Sequence, residues 1–588
     1  MNSKLTNIIA GCLLVFVFLV AVFSMKDDSA TMDEVAHLPA GYSYLTQKDM
    51  RLNPEHPPLL KDLAAIPLLF INGSTGSPQG GINFPSEIKD WQEDINGQWG
   101  FGYHFLYRSG NPADQMIFWG RLPMILILVL IGFYIFKWAK ELFGNKTALL
   151  SLFLFSFSPT FLAHGRLVTT DVGAAVGVFI ATYYFIKALQ GPTKRNIILA
   201  GIAFGIAQLL KFSVILLVPF FGFLGLIWWS LKSGGLLQVL KILILTFVIG
   251  FILIGTVYQY HVWNYPPERQ VRDTEFLLSS FGNRPLADLV TWMADKPILR
   301  PYAQYALGLL LVLQRGAGGH TTYFLGEVSA AGWKSYFPVV YLIKEPLPLH
   351  ILTLIALLYA AYLIKRPFWQ DTKRRFSEWI KSHFPEFAML CFIGIYWLTS
   401  LTSNLNIGVR HLLPAFPFTI LLVSAMTVGL LKKPYLKLKY GLLGFLILWQ
   451  IASVLSIYPH FLAYFNELAG GPNNAYIYTV NSNLDWGQDL KRLKKWADEK
   501  GIDKIYVDYF GGGEAKYYLK EKYAPWWGQR DPKEFPRGNY LAVSATFLQG
   551  GRGNPVPGFE QPAGFYRWLD GYTPVEKIGY SIFIYYID

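Results

Sequence analysis

Cysteine is nearly absent: two in 588 residues, Cys12 and Cys391, each inside a long apolar run. Two isolated thiols build neither a disulfide framework nor a thiolate metal site. Charge is also scarce, at 15% of residues, where an ordinary soluble chain carries roughly a quarter. That scarcity, beside 53% hydrophobic and 16% aromatic residues, excludes a typical soluble enzyme and a disordered chain. Internal repeats and low-complexity segments are missing too, which excludes a solenoid.

What replaces the missing charge is a series of long apolar runs, such as Ile8–Phe23, Leu122–Phe136 and Leu442–Ile457. Runs of about 17–25 apolar residues match the hydrocarbon thickness of a bilayer, so they read as membrane spans. About eleven are expected, at 6–24, 117–136, 147–163, 172–189, 197–210, 212–230, 241–258, 346–364, 386–400, 412–430 and 440–458. The first has the outline of a signal peptide. It is long for one and has few small residues near its end, so it reads as an uncleaved span.

The net charge of +13 does not point to nucleic acid. Lys and Arg collect in short connections, at Lys137/Lys140/Lys146, Lys194/Arg195, Lys365/Arg366 with Lys373/Arg374/Arg375, and Lys432/Lys433/Lys437/Lys439. That pattern marks cytoplasmic loops by the positive-inside rule. The N-terminus is then expected in the cytoplasm, with segments 25–116, 164–171, the Lys211 turn, 259–345, 401–411 and the tail outside. Within the two long outer loops, Leu63–Ile71 and Tyr302–Leu313 are too short to span and read as interfacial helices. The expected architecture is a multi-pass membrane domain, 1–458, and a small extracytoplasmic α/β domain, 459–588. In the latter, Asp485–Glu499 reads as a helix and Ile505–Phe510, Tyr540–Phe547 and Ile578–Ile587 as strands.

Four segments on the outer side carry residues suited to chemistry. In Thr31-Met-Asp-Glu-Val-Ala-His37, Asp33 and Glu34 are adjacent carboxylates, a general base with a partner that orients the acceptor or binds a metal. The same Thr31 and Glu34 also fit a helix capping box. In Arg51-Leu-Asn-Pro-Glu-His-Pro-Pro-Leu59, the prolines hold Glu55 and His56, which suit a divalent ion or an acceptor group, or they start the next helix. His164, Arg166 and Asp171 occupy a short loop next to hydrocarbon, where ionisable groups are costly unless paired or functional. An Arg166–Asp171 pair closing the loop is the plainer alternative. Arg410 and His411 head a span in Asn404-Leu-Asn-Ile-Gly-Val-Arg-His-Leu-Leu-Pro414, where a guanidinium fork suits a phosphate and where snorkelling also explains an arginine. Lys211, and Arg315 and His320 in a glycine-rich stretch, are further candidates for a phosphate.

In this order the motifs resemble the GT-C membrane glycosyltransferases, especially the bacterial relatives of protein O-mannosyltransferases and aminoarabinose transferases. Pro-Glu-His-Pro-Pro-Leu, Thr-Thr-Asp171, Gly326–Pro338 with Lys334, Lys344-Glu-Pro-Leu-Pro348, Phe465–Pro472 and Ser482–Leu490 contribute to the likeness. The resemblance implies a polyprenyl-phosphate sugar donor, transfer with inversion outside the inner membrane, and Asp33 as base with Glu34 beside it. It also assigns Asp171 to the acidic residue of the second short outer loop. A protein, a lipid or a cell-wall glycan is the acceptor. No cofactor is required, though a divalent ion at Glu34 or Glu55 is compatible. The alternative is a transporter, flippase or binding protein for lipid-linked sugars, which would place its charges near mid-membrane in broken helices.

Overall fold

The computed structural model describes residues 2–71, 81–364, 371–431 and 436–588. Of the basic clusters, Lys365/Arg366 and Lys432/Lys433 lie outside the described residues. Among the described residues, eight helices are long and apolar enough to cross a membrane: Ser3–Ser24, Ala113–Phe143, Asp171–Gln190, Phe212–Ser230, Leu236–His261, Phe384–Leu401, Val409–Leu431 and Lys437–Leu455. A ninth is formed if Tyr336–Lys344 and Leu347–Leu363, bent by 113° at Glu345-Pro346, make one span.

The count of eleven is therefore not reproduced, and the three discrepancies have local causes. The expected span 147–163 is two helices, Asn145–Ser156 and Pro159–His164, because Ser158 caps a new helix with Pro159 at its first position. Lys194–Leu210 is a single helix of 17 residues, and at 1.5 Å per residue that is about 26 Å, just short of the hydrocarbon core. Leu347–Leu363 also has 17 residues, preceded by the bend.

Helix packing uses small residues. Gly205 and Gly250 face each other so closely that a Cβ on Gly205 would sit 3.0 Å from the Gly250 Cα. Without a hydrophobic driving force in lipid, such close backbone approach holds neighbouring helices together. The N-terminal helix and the end of the second span meet at one pole, where Lys140 Nζ donates to Ser3 Oγ at 3.1 Å and Asn7 Oδ1 at 2.8 Å.

Between the first two spans, Met32–Gln47 is a helix capped by Thr31 and Glu34, followed by Leu59–Ala65 and a short 3-10 turn to Phe70. The second long loop contains three amphipathic helices, Pro267–Leu277, Arg284–Ala294 and Arg300–Gly318. Phe276, Leu289, Trp292 and Ile298 on these helices and their connections are exposed, as expected of interfacial segments.

The described residues contain eight strands: β1 Thr322–Phe324, β2 Glu327–Ser329, β3 Ile505–Asp508, β4 Tyr523–Pro525, β5 Asn539–Ser544, β6 Asn554–Pro555, β7 Glu576–Ile578 and β8 Ile582–Ile587. The C-terminal sheet runs β4-β3-β5-β8-β7, parallel from β4 to β5 and antiparallel beyond. A three-stranded patch, β1-β2-β6, ties the second long loop to this domain. The expected strand Tyr540–Phe547 ends at Ser544, where a helix Ala545–Arg552 begins. The expected strand Ile578–Ile587 is two strands with a turn through Gly579 and Tyr580, both at positive φ. The expected helix Asp485–Glu499 starts only at Leu490.

The five residues before Leu490 are drawn into the membrane domain instead. Met32 N–H donates to Trp486 O at 3.0 Å and Ser29 N–H to Gln488 O at 2.9 Å. Residue 458 is thus a boundary in composition, while segment 459–490 packs on the membrane helices.

Candidate functional site

The capping box that starts helix Met32–Gln47 determines what its two acidic residues do. A capping-box glutamate turns back to the helix start, whereas the residue before it projects outward. Glu34 accepts from Thr31 N–H at 2.8 Å, Thr31 Oγ1 at 2.9 Å and Val168 N–H at 3.0 Å. Arg121 adds a bidentate pair, Nε to Oε1 at 2.8 Å and Nη2 to Oε2 at 2.6 Å. Burial alone would raise the Glu34 pKa; the Arg121 charge and these hydrogen bonds outweigh it and hold the carboxyl below its ordinary value. Both residues are 1% exposed, so the capping-box alternative describes Glu34, and its oxygens are filled by donors.

Asp33 faces the other way and is 24% exposed. Arg410 Nη1 donates to Asp33 Oδ2 at 3.0 Å and to Asp171 Oδ2 at 2.8 Å. Lys211 Nζ donates to Asp171 Oδ1 at 2.5 Å. Two carboxylates and two cations from four distant segments form one cluster. Asp171 is sealed, whereas Lys211 remains 18% exposed.

Arg410 is held from behind. Its Nε donates to Ser482 Oγ at 3.1 Å and its guanidinium lies 4.1 Å from the centre of the Trp486 ring. Ser482 Oγ donates to Ile407 O at 2.6 Å, and Asn483 Oδ1 accepts from Val409 N–H at 2.8 Å. The chain passes so close that a Cβ on Gly408 would stand 2.2 Å from Ser482 Oγ. Arg410 Nη2 has no hydrogen-bond partner among the described residues. Ser482 and Trp486 lie in the Ser482–Leu490 motif, yet nothing in their types assigns them to Arg410, 72 residues before Ser482.

A second group lies beside Asp33. His37 Nδ1 contacts Val168 O at 2.9 Å, and its ring meets that of His56 edge-on at 4.9 Å. Burial lowers the His37 pKa against the opposing field of Asp33. Burial, with the charges of Lys61, Lys211 and Arg315, also holds His56 well below its ordinary value, so it is neutral. Glu55 accepts from Asn96 Nδ2 at 3.1 Å and Gln98 Nε2 at 2.5 Å. The prolines of this segment start helix Leu59–Ala65, and the buried Lys61 pins the loop through Tyr44 Oη, Asn53 O and Oδ1, and His56 O at 2.8–2.9 Å. Burial brings Lys61 down to about 7.

The remaining candidates separate. Arg166 does not close its loop on Asp171; it pairs with Asp28 at 3.0 Å. Asp28 is also bound by Arg492 at 2.8 Å, and Arg492 reaches Asp489 at 2.6 Å. Burial would raise Asp28, but Arg166, Arg492 and Arg121 together hold it below its ordinary value. This network ties the membrane domain to the C-terminal domain. Arg166 was already a candidate from its loop; Arg121 was not, although it stands as a lone arginine in an expected span. His164 is buried near Trp486, 5.9 Å between ring centres, and among the described residues its Nδ1 has no partner. His411 is half-buried near Phe337, 6.5 Å between ring centres. Arg315, His320 and Lys334 are exposed, and among the described residues no carboxylate pairs with Arg315. The charges of Arg315, Arg410 and Asp33 all act on His320, which places it at the rim of the cluster.

Among the described residues, no group of three or more His, Cys, Asp or Glu side chains is arranged to hold a metal ion. Glu34 and Glu55, the two candidates, direct their oxygens at N–H donors, an arrangement for holding backbone and amides.

Residues 113–259 match the family described as dolichyl-phosphate-mannose-protein mannosyltransferase. That match bears out the resemblance to the GT-C membrane glycosyltransferases over the stretch containing Arg121, Asp171 and Lys211. No curated protein matches the chain significantly. Among solved structures, ArnT from Cupriavidus metallidurans bound to undecaprenyl phosphate is 12% identical, with a TM-score of 0.44, covering 100% of this chain and 98% of its own. The Archaeoglobus fulgidus oligosaccharyltransferase AglB, in complex with an inhibitory peptide and a dolichol-phosphate, is 13% identical at a TM-score of 0.44, with 93% and 71% coverage. The S. cerevisiae protein O-mannosyltransferase Pmt1-Pmt2 complex bound to the sugar donor is 17% identical at 0.35, with 48% and 37% coverage.

Proposed function

We propose that this chain transfers a sugar from a polyprenyl-phosphate-linked donor to an acceptor hydroxyl at the outer end of its spans, in a single inverting displacement. The observation that carries the reading is the Asp33–Arg410–Asp171–Lys211 cluster, in which Asp33 is the half-open carboxylate and Asp171 the sealed one. The family match over residues 113–259 supports the same chemistry.

In this mechanism the acceptor oxygen attacks the anomeric carbon as its proton passes to an Asp33 oxygen. The bond from that carbon to the phosphate oxygen breaks, and its electron pair leaves with the lipid phosphate. Arg410 Nη2 and the Lys211 ammonium receive the charge that develops there, fixed in advance by Ser482, Trp486 and Asp171. Asp171 acts as a positioning residue that keeps both cations oriented. A phosphate ester leaves without protonation, so no acid is assigned. His56, held neutral, and Glu55 border the acceptor side of Asp33 and suit hydrogen bonds to its hydroxyls. The lipid tail keeps the donor in the bilayer, each buried methylene adding about 0.8 kcal/mol. Cations at the ends of spans are where such a phosphate arrives.

The test is donor cleavage by purified protein in lipid nanodiscs supplied with radiolabelled polyprenyl-phosphate hexoses and cell-envelope acceptors. Cleavage that vanishes in Asp33→Asn, with the variant folded, supports the reading. Donor binding without cleavage by the wild type overturns it and favours transport.

A further inference from the structure

The C-terminal domain contributes more than the bracket for Arg410. Between β1, the strand β3 and the helix Ala545–Arg552 lies a cleft of about 560 Å³, within the range of a small-molecule site. Its walls are aromatic, with Phe510, Trp527, Phe547 and Phe565 among them, and its polar groups are uncharged or acidic. Among the described residues no lysine or arginine lines it; Asp508 is its carboxylate. Trp527 is 51% and Phe547 38% exposed, although burial is the ordinary fate of such side chains. Phe510 meets Phe547 edge-on at 5.7 Å, and Thr321 Oγ1 donates to Gln561 Oε1 at 3.0 Å to join the outer loop to the far wall.

Two of its lining residues connect the cleft to the proposed reaction site. Asn481 lines it, and the next residue, Ser482, holds Arg410. His320 lines the same cleft within reach of the charges of Asp33 and Arg410. Arg530, which stacks on Trp527 at 4.8 Å, is neutralised by Glu534 at 3.0 Å.

We propose that this cleft is the acceptor subsite and that the acceptor is an uncharged glycan. Flat aromatic faces pack against the C–H faces of sugar rings, and Asp508, Gln529, Asn481 and Thr546 supply hydrogen-bonding groups for hydroxyls. A polyanionic acceptor would meet Asp508 with no cation to balance it. Asp508 accepts from Gly528 N–H at 3.1 Å and from the Tyr566 hydroxyl, a fixed orientation suited to a ligand. The acceptor role rests on the transfer reading above; the saccharide site stands separately.

The experiment titrates mannotetraose, cellotetraose and chitotetraose onto the full chain in nanodiscs, with poly(glycerol phosphate) and a Ser/Thr-rich peptide as competing probes. Donor hydrolysis without acceptor is followed in parallel. At least one neutral oligosaccharide is expected to bind, with affinity about tenfold weaker in Trp527→Ala and in Phe547→Ala. In both variants donor hydrolysis stays at the wild-type rate, and KM for the saccharide acceptor rises with kcat unchanged. No neutral oligosaccharide bound at about 10 mM, equal binding by Trp527→Ala, or binding of the polyanion or the peptide alone overturns the proposal. Saccharide binding that Trp527→Ala weakens, in a wild type that never cleaves the donor, upholds the saccharide site and overturns the transfer reading and the acceptor role with it.

Discussion

A carboxylate that takes a proton from a substrate needs an oxygen facing open space, and Asp33 and Glu34 differ in this although they are neighbours. Asp33→Asn is expected to reduce transfer by about 10²–10⁴-fold, the usual contribution of a general base, with the thermal midpoint unchanged, read by labelled-donor assay and scanning fluorimetry. Glu34→Ala is expected to act on stability instead. It leaves Arg121 buried without its partner, which costs about 3–5 kcal/mol, seen as a fall in thermal midpoint before activity is considered. Linkage gives the pH side of the same pair. The Glu34 pKa is lower folded than unfolded, so its contribution is complete above the ordinary glutamate pKa and is lost as pH falls through the folded value. Asp28 behaves alike, so melting followed from pH 7 downward should show a component of stability loss that begins only below about pH 4.5, beneath the earlier loss from the buried, neutral His56, and Glu34→Gln should flatten that lower component. In Arg410→Lys the Ser482 bond and the Trp486 stacking are both lost. At about 1.5–3 kcal/mol for a charged hydrogen bond, donor cleavage should drop at least tenfold.

At the scale of elements, local chemistry explains most of what the chain does. Run length located the first span closely and found the second, whose helix Ala113–Phe143 extends beyond the expected span at both ends, and Ser158-Pro159 breaks an expected third because a serine cap followed by proline starts a helix anew. The extended strand expected at Tyr540–Phe547 stops at Ser544 because Thr546 N–H is taken by Asp485 Oδ2 at 2.8 Å, a contact with no trace in the strand's own composition. The turn entering the span at Val409 shows the same interdependence. Gly408 is needed so that Ser482 can reach Ile407 O and Arg410 together. Gly408→Ala is expected to displace Ser482 and weaken binding of the lipid phosphate without unfolding the spans, measured by titration of undecaprenyl phosphate against wild type. Unchanged affinity would remove the Ser482 bracket from the mechanism.

For the whole molecule, the consequence is that the C-terminal segment and the membrane domain form one working unit. Lys344 donates to Leu462 O, Tyr464 O and Asn483 O at 2.6–2.9 Å, and the Asp28–Arg492–Asp489 contacts seal the same junction. A chain ending at residue 458 therefore loses Ser482, Trp486, the partners of Lys344 and one of the two arginines on Asp28, Arg492. It is expected to show no donor cleavage and a lower thermal midpoint in detergent, and co-expression of 459–588 as a separate chain should restore part of both. A truncated chain with full activity would show that the tail is dispensable. What the sequence determined alone was the class of molecule: the apolar runs, the placing of cations in short connections, and the order of motifs that brings four loop segments into question together. These are properties of composition and local period, which the bilayer reads directly. Only the tertiary structure decided which of two adjacent acids is open, that Arg166 serves Asp28 rather than Asp171, and that a serine and a tryptophan hold Arg410. Arg410 and Asp33 are 377 residues apart, and a pair at that separation is specified by how the helices pack, not by any pattern along the chain.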